Sequence, residues 1–198
     1  MTVIGIILTA SLAQNVILVH YLGISPLTPA LQSPGRAAAI SAGITLALLW
    51  VSALFWIVNR VVLVPLNAQI LETLTMTLII AFSAVGAMRL GAQLFPYGRK
   101  AVRRAVPVVM INTTVFVVAM GTVHTVEPLW LVLLAAIAAG AGVFVALVPL
   151  SAIRLHFENG GAPSIIRGDI AAYLAAAVAA LAIQRIDTLL HAFFVPLY

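Results

Sequence analysis

The sequence predicts an all-α integral membrane protein with six transmembrane helices arranged as two inverted three-helix repeats. Three observations lead there. Of its 198 residues, 64% are hydrophobic and only 8% are charged. The charges fall in short clusters between six apolar runs, each near the roughly 20 residues that cross a bilayer. An Asn lies in the first apolar run of each half, at Asn15 and Asn112. Backbone amides find no water inside hydrocarbon, so runs of this length must be helical.

Span one is expected from about Val3 to Leu22, and the loop Gly23 to Arg36 after it carries Pro26, Pro29 and Pro34. Span two runs from Ala37 to about Val58. A connector with Asn59, Arg60, Pro65 and Asn67 leads to span three, about Ile70 to Met88. The loop Arg89 to Arg104 is the most basic. Span four follows from about Ala105 to Val123, then a tight connector from His124 to Pro128. Span five covers about Leu129 to Ile153. The next loop, Arg154 to Gly168, holds Glu158, Gly160, Gly161 and Pro163. Span six starts near Asp169, a residue suited to a helix N-cap, and ends near Leu190. These spans leave no room for a soluble domain. Residues 1–198 are therefore expected to form one transmembrane domain, with repeats at about 1–90 and 105–198.

Eight of the ten Lys and Arg residues fall in loops one, three and five: Arg36, Arg89, Arg99, Lys100, Arg103, Arg104, Arg154 and Arg167. Only Arg60 and Arg185 lie on the other side. Cytoplasmic loops carry the excess of Lys and Arg. Both termini are then expected on the periplasmic face of a bacterial inner membrane. No basic n-region or small-residue cleavage site opens the chain, so the first run is read as a retained helix and not a signal peptide. The net charge of +5 does not indicate nucleic acid, because no basic stretch carries interleaved aromatics.

Three spans per half force related halves into opposite orientations. That is the plan of many transporters, whose sites lie near the midplane between the repeats. Gln14 and Asn15 in span one, and Asn112, Thr113 and Thr114 in span four, place amides and hydroxyls inside apolar runs. An Asn in hydrocarbon is costly without a partner. Two readings stand for Asn15 and Asn112: glue between neighbouring helices, or a broken helix lining a midplane ion path.

Motifs then suggest a family. The run Gln14 to Pro26 (QNVILVHYLGISP) is similar to the first span of RnfA/NqrE-type membrane subunits. These belong to the Rnf electron-transport complex and the sodium-translocating NADH:quinone reductase. The connector Val61 to Asn67, with Leu71, Thr73 and Leu74 after it, resembles the Rnf A-type subunit more than its paralogues. Val109-Met110-Ile111-Asn112-Thr113 is similar to the family's fourth-span motif. Ala152-Ile153-Arg154 and Ile166-Arg167-Gly168 match its fifth-loop pattern.

The resemblance implies an integral subunit of a redox-driven, ion-translocating complex. Such a complex moves electrons between NADH and ferredoxin or quinone and couples this to Na+ or H+ movement. It implies a homologous six-helix partner of RnfE/NqrD type in opposite orientation, together with other Rnf/Nqr-like subunits. In the family each partner supplies two cysteines to one intramembrane 2Fe-2S cluster. Carried over, those positions are Ser25 and Thr113, and the chain has no cysteine at all. Iron–sulfur clusters are held by thiolates, occasionally with His, and a protonated hydroxyl is a poor, hard ligand for a soft site. No cofactor held by this chain is therefore expected. Four explanations of the missing thiols stand side by side. The complex works without this cluster, the partner holds it with unusual ligands such as His20, the chain is a diverged paralogue, or the cysteines were deliberately replaced.

Other residues have plainer readings. Glu72, at the start of span three, is favoured by the helix macrodipole or marks an ion entrance. The basic third loop anchors topology and attracts anionic headgroups, or docks a cytoplasmic partner. Arg154 and Arg167 reach the headgroups. His124 and Glu127 read as solvated, and Arg185 with Asp187 as an interfacial ion pair. Trp50, Trp56 and Trp130 read as interfacial or lipid-facing aromatics. Gly140 and Gly142, with Ala135, Ala136, Ala138 and Ala139, form a small-residue face for close helix approach. No nucleotide loop, HExxH, Gly-x-Ser-x-Gly or His cluster appears, so no catalytic residue and no metal site are expected. Two other functions remain open: a stand-alone inverted-repeat secondary transporter, and a non-redox scaffold paralogue.

Overall fold

The computed structural model describes residues 30–94, 99–125, 128–160, 163 and 169–194. Span one, with Gln14, Asn15 and His20, and Ser25 in the loop after it lie outside the described residues, as do Glu127 and Arg167. Every regular element among those described is helical. After a short 3-10 turn at Ala30–Gln32 come α1 (Pro34–Val58), α2 (Glu72–Leu94), α3 (Arg99–Met110), α4 (Thr113–Thr125), α5 (Leu129–Asn159) and α6 (Asp169–Phe194).

Three helical stretches are long and apolar enough to cross a membrane: Pro34–Leu63, Gln69–Gln93 and Leu129–Asn159. A fourth candidate is the bent pair α3 and α4, and Asp169–Ala182 is a shorter apolar helix. The all-helical, multi-span character expected from composition is therefore present, with boundaries shifted outward. Span five gains a turn and a half, to Asn159. The basic third loop is largely helical too. Arg89 continues α2, and Arg99, Lys100, Arg103 and Arg104 open α3.

The described residues group into two units. One comprises Ala42–Gly140, the other the described residues up to Ser41 and from Ala141 onward. In the first, α1 buries one stripe. Ile44, Leu48, Val51 and Phe55 are fully enclosed at helical spacing, while Leu46, Trp50 and Ile57 face outward. Both faces are apolar, as hydrocarbon requires. In α2, Met76, Ile80 and Ala84 point inward and Leu74, Leu78 and Phe82 outward. Trp50 Nε1 donates to Ser83 Oγ at 3.2 Å, which ties α1 to α2. Gly140 of α5 meets Thr45 of α1 so closely that a Cβ would collide with the threonine side chain. In the other unit, α6 buries Ala171, Ala172, Ala176 and Ala180, and α5 buries Val143, Ala146, Leu147 and Leu150.

Hydroxyls in these helices mostly satisfy themselves. Ser41 donates to Ala37 O at 2.8 Å, Thr77 to Thr73 O at 2.8 Å, Thr122 to Ala119 O at 3.1 Å and Ser151 to Val148 O at 2.6 Å. Back-bonding of this kind gives a small hydroxyl an acceptor within its own helix.

The connector after α1 is not an open loop. Residues Asn59–Leu63 continue the helix as a π turn, and Val64 N–H donates to Asn59 O at 2.9 Å. Pro65 offers no N–H to the ladder, but Leu66 N–H still donates to Val62 O at 3.2 Å and Ala68 N–H to Leu63 O at 2.9 Å. Asn67 then takes a left-handed φ of 49°, a conformation that Asn tolerates better than most residues.

Arg154 meets two carboxylates. It closes one end of its unit. Its side chain is 14% exposed; Nε meets Glu158 Oε1 at 2.9 Å, and a terminal nitrogen meets Asp169 Oδ1 at 2.7 Å. The end of α5 is thereby tied to the first turn of α6, across the fifth loop. Both carboxylates are substantially exposed, so Arg154→Ala should cost about 1 kcal/mol. Chemical denaturation of the purified protein would measure it.

Candidate functional site

The site is built around the break in span four. Pro107 removes one N–H from the α3 ladder, and the ladder ends with Ile111 N–H donating to Pro107 O at 2.9 Å. Two residues later the chain turns helical again. Asn112 caps α4: its Oδ1 accepts from Thr114 N–H at 2.9 Å, and its carbonyl accepts from Val115 and Phe116 at 2.9 and 3.2 Å. Asn is among the strongest N-cap residues, and here it acts inside an otherwise apolar span. The segments Arg103–Met110 and Thr113–His124 meet at 41°. Span four is therefore broken at Asn112.

Asn112 is 2% exposed, and among the described residues its Nδ2 has no hydrogen-bond partner. A buried donor left alone costs on the order of 1–3 kcal/mol. Beside the break, Thr77, Ile80 and Ala81 of α2 and Ile111, Asn112, Thr113 and Phe116 line an open-sided cavity of about 290 Å³. The break turns two helix ends toward each other. The C-terminal end of α3 is partly negative and the N-terminal end of α4 partly positive. Such an arrangement can stabilise an ion at mid-span without a charged side chain.

Of the site residues read from the sequence, Asn112 and Thr113 meet at the cavity. Asn15 and Ser25 lie outside the described residues. Thr113 is exposed and brings a hydroxyl in place of a sulfur. Among the described residues no group of three or more His, Cys, Asp or Glu is placed to hold a metal. A hydroxyl at Thr113 does not fit the ligand set of a 2Fe-2S cluster.

A second polar constellation escaped the sequence reading. Glu72, in the first turn of α2, accepts from Asn59 Nδ2 at 3.0 Å and meets His124 Nε2 at 2.9 Å. The Glu72 side chain is only 12% exposed, whereas that of His124 is 48% exposed. His124 is exposed, as expected, but it lies in the last turn of α4 and not in a loop, in contact with a carboxylate. The usable signal was the placement of Asn59, Glu72 and His124 at span ends assigned to one side of the membrane.

Comparison with known proteins follows the same lines. A family model described as "Rnf-Nqr subunit, membrane protein" matches residues 3–190. The chain is 24% identical over 186 residues to the A-type subunit of the ion-translocating oxidoreductase complex of Rhodobacter capsulatus, covering 94% of this chain and 96% of the relative. It is 25% identical over 182 residues to the A-type subunit of the Na(+)-translocating ferredoxin:NAD(+) oxidoreductase complex of Acetobacterium woodii, covering 92% and 95%. A third relative, the corresponding A-type subunit from Buchnera aphidicola subsp. Baizongia pistaciae, is 26% identical over 187 residues, covering 90% and 92%.

Proposed function

This chain belongs to the Rnf-Nqr family of membrane-protein subunits, and from that premise we propose that it is an integral subunit of a redox-driven, ion-translocating electron-transport complex. Its part is the ion path. The observation that carries this reading is the span broken at Asn112, with a buried amide donor left without an acceptor beside a mid-span cavity. A side chain kept in that state inside hydrocarbon is costly unless a passing or bound group uses it.

In this reading the chain crosses a bacterial inner membrane six times, with both termini periplasmic. It forms one domain of two inverted repeats, about 1–90 and 105–198. Asn15 is the counterpart of Asn112 in the first repeat, and the two line the path. Ser25 and Thr113 stand where relatives of this type are expected to place cluster cysteines, and they bond backbone or ion, not iron. The electron carriers belong to other subunits. A homologous six-helix sister protein in opposite orientation is the immediate partner.

Affinity purification from the native membrane tests the proposal. A homologous six-span protein and flavin-bearing subunits should co-purify with the tagged chain. Elution alone or as a homo-oligomer would instead favour a stand-alone transporter. Iron analysis of the purified assembly, compared with that of a cysteine-bearing relative, should show one 2Fe-2S equivalent fewer.

A further inference from the structure

We propose that the cavity beside the break in span four is a water-binding site, in which the side-chain amide of Asn112 donates to water and a passing ion is met by that water and not by the amide. In naming what the ion meets, this rests on the ion-path reading of the same cavity; the water itself follows from the lining.

Asn112 offers the cavity a donor. Its side-chain Oδ1 accepts from Thr114 N–H, and its main-chain carbonyl accepts from Val115 and Phe116 N–H. Both oxygens are thus engaged in capping α4, and the group left without a partner among the described residues is Nδ2. Hard cations are bound by oxygen lone pairs, so Nδ2–H cannot coordinate one. The partly positive N-terminal end of α4 opposes a cation at the same point. An anion would suit both features, but the described lining carries no charged side chain. An unpaired ion away from bulk water costs far more than one hydrogen bond returns. The occupant on the α4 side is therefore a neutral oxygen.

Water fits that requirement and the rest of the wall. A buried water makes roughly two to four hydrogen bonds to polar groups. Nδ2 supplies a donor. Thr77 Oγ1 has given its proton to Thr73 O at 2.8 Å and keeps lone pairs to accept another. Thr113 adds a second hydroxyl to the lining. Water takes up ~30 Å³ per molecule in the liquid, so a cavity of about 290 Å³ has room for several. A purely apolar molecule would pack against Ile80 and Phe116 but leave Nδ2 unpaired. A cation that reaches the cavity keeps part of its hydration shell, where hydrocarbon would strip it.

The chain contains no cysteine, so one introduced thiol is the only thiol it carries. Ala81→Cys places it in the cavity wall. Phe82→Cys, one residue on, places it on the outward face. A thiolate attacks trimethylammonioethyl methanethiosulfonate, forming a mixed disulfide and releasing methanesulfinate. A thiol in apolar surroundings stays protonated and does not react. In native membrane vesicles exposed to the reagent on both sides, labelling read by mass spectrometry should be at least about tenfold faster for Ala81→Cys than for Phe82→Cys. Adding Asn112→Leu to Ala81→Cys should slow labelling about fivefold, the loss of one hydrogen bond. If Ala81→Cys fails to insert, Thr77→Cys on the same wall takes its place. Labelling no faster than at Phe82→Cys, or a rate that Asn112→Leu leaves unchanged, would overturn the proposal. Fast labelling of a chain that purifies without redox subunits would instead sink the redox reading and keep the water.

Discussion

Gly140→Leu is expected to destabilise the folded protein by about 3 kcal/mol, the upper part of the range for overpacked cores. A Cβ at Gly140 would lie 2.7 Å from Thr45 Cβ, with the threonine's hydroxyl and methyl in the way as well. Cβ atoms essentially never approach so closely, and a Thr Cβ cannot swing aside without moving α1. α1 and α5 would have to separate at this point, in a region where Ile44, Leu48 and Val132 are fully buried. Even Gly140→Ala should lower the midpoint of thermal denaturation in detergent. Pairing it with Thr45→Ala should recover part of the loss, because two of the three colliding atoms are then gone. A Gly140→Leu protein that melts like wild type would show that the two helices are not in contact.

Asn112→Leu should carry the second large effect. Leucine has nearly the same bulk but cannot accept from Thr114 N–H, so a buried amide loses its partner. The expected cost is about 1–2 kcal/mol. Asn112→Ser separates stability from function. A serine hydroxyl still caps α4, and the unpartnered Nδ2 disappears, so stability should stay within about 0.5 kcal/mol of wild type. If Nδ2 serves the ion path, electron-driven ion uptake by the intact complex should nevertheless fall roughly tenfold in both variants, the equivalent of one charge-assisted hydrogen bond. Serine at wild-type transport rates would assign Asn112 to capping alone.

These effects divide unevenly between what could be read along the chain and what could not. Along the chain the break at Asn112 was legible only as one of two alternatives, from an Asn followed by Thr113 and Thr114 inside an apolar run; the part played by Pro107 came from the structure. Each of these residues acts on its own turn of backbone. The close approach at Gly140 was legible as a small-residue face on α5, but its partner Thr45 was not. The basic third loop was misjudged in form, since its Arg and Lys residues extend α2 and open α3 instead of lying in a coil. Charge cannot end a helix that has reached water, because water satisfies the backbone there as readily as a further turn does.

His124 shows where reading along the chain stops. In sequence it is a polar residue at a span end, and Glu72 another, 52 positions earlier. Solvation of each was the simpler expectation. Their 2.9 Å contact depends on how α4 is rotated against α2 and on where the π turn delivers Asn59. The tie between Arg154 and Asp169 is a contact of the same kind across a loop.

The amino-acid sequence by itself determined that this chain is helical, crosses a membrane and belongs to the Rnf-Nqr family, because hydrophobic length and short motifs are properties of consecutive residues. Only the tertiary structure decided which face of each helix is inside and which polar groups meet. In water an apolar stripe marks the inner face, but α1 is apolar on every side, with Phe55 enclosed and Trp50 and Leu46 facing outward. Lipid removes the contrast between inside and outside that patterning relies on. Rotation and register are then set by close packing, as at Gly140 and Thr45, and by the few polar contacts that packing permits.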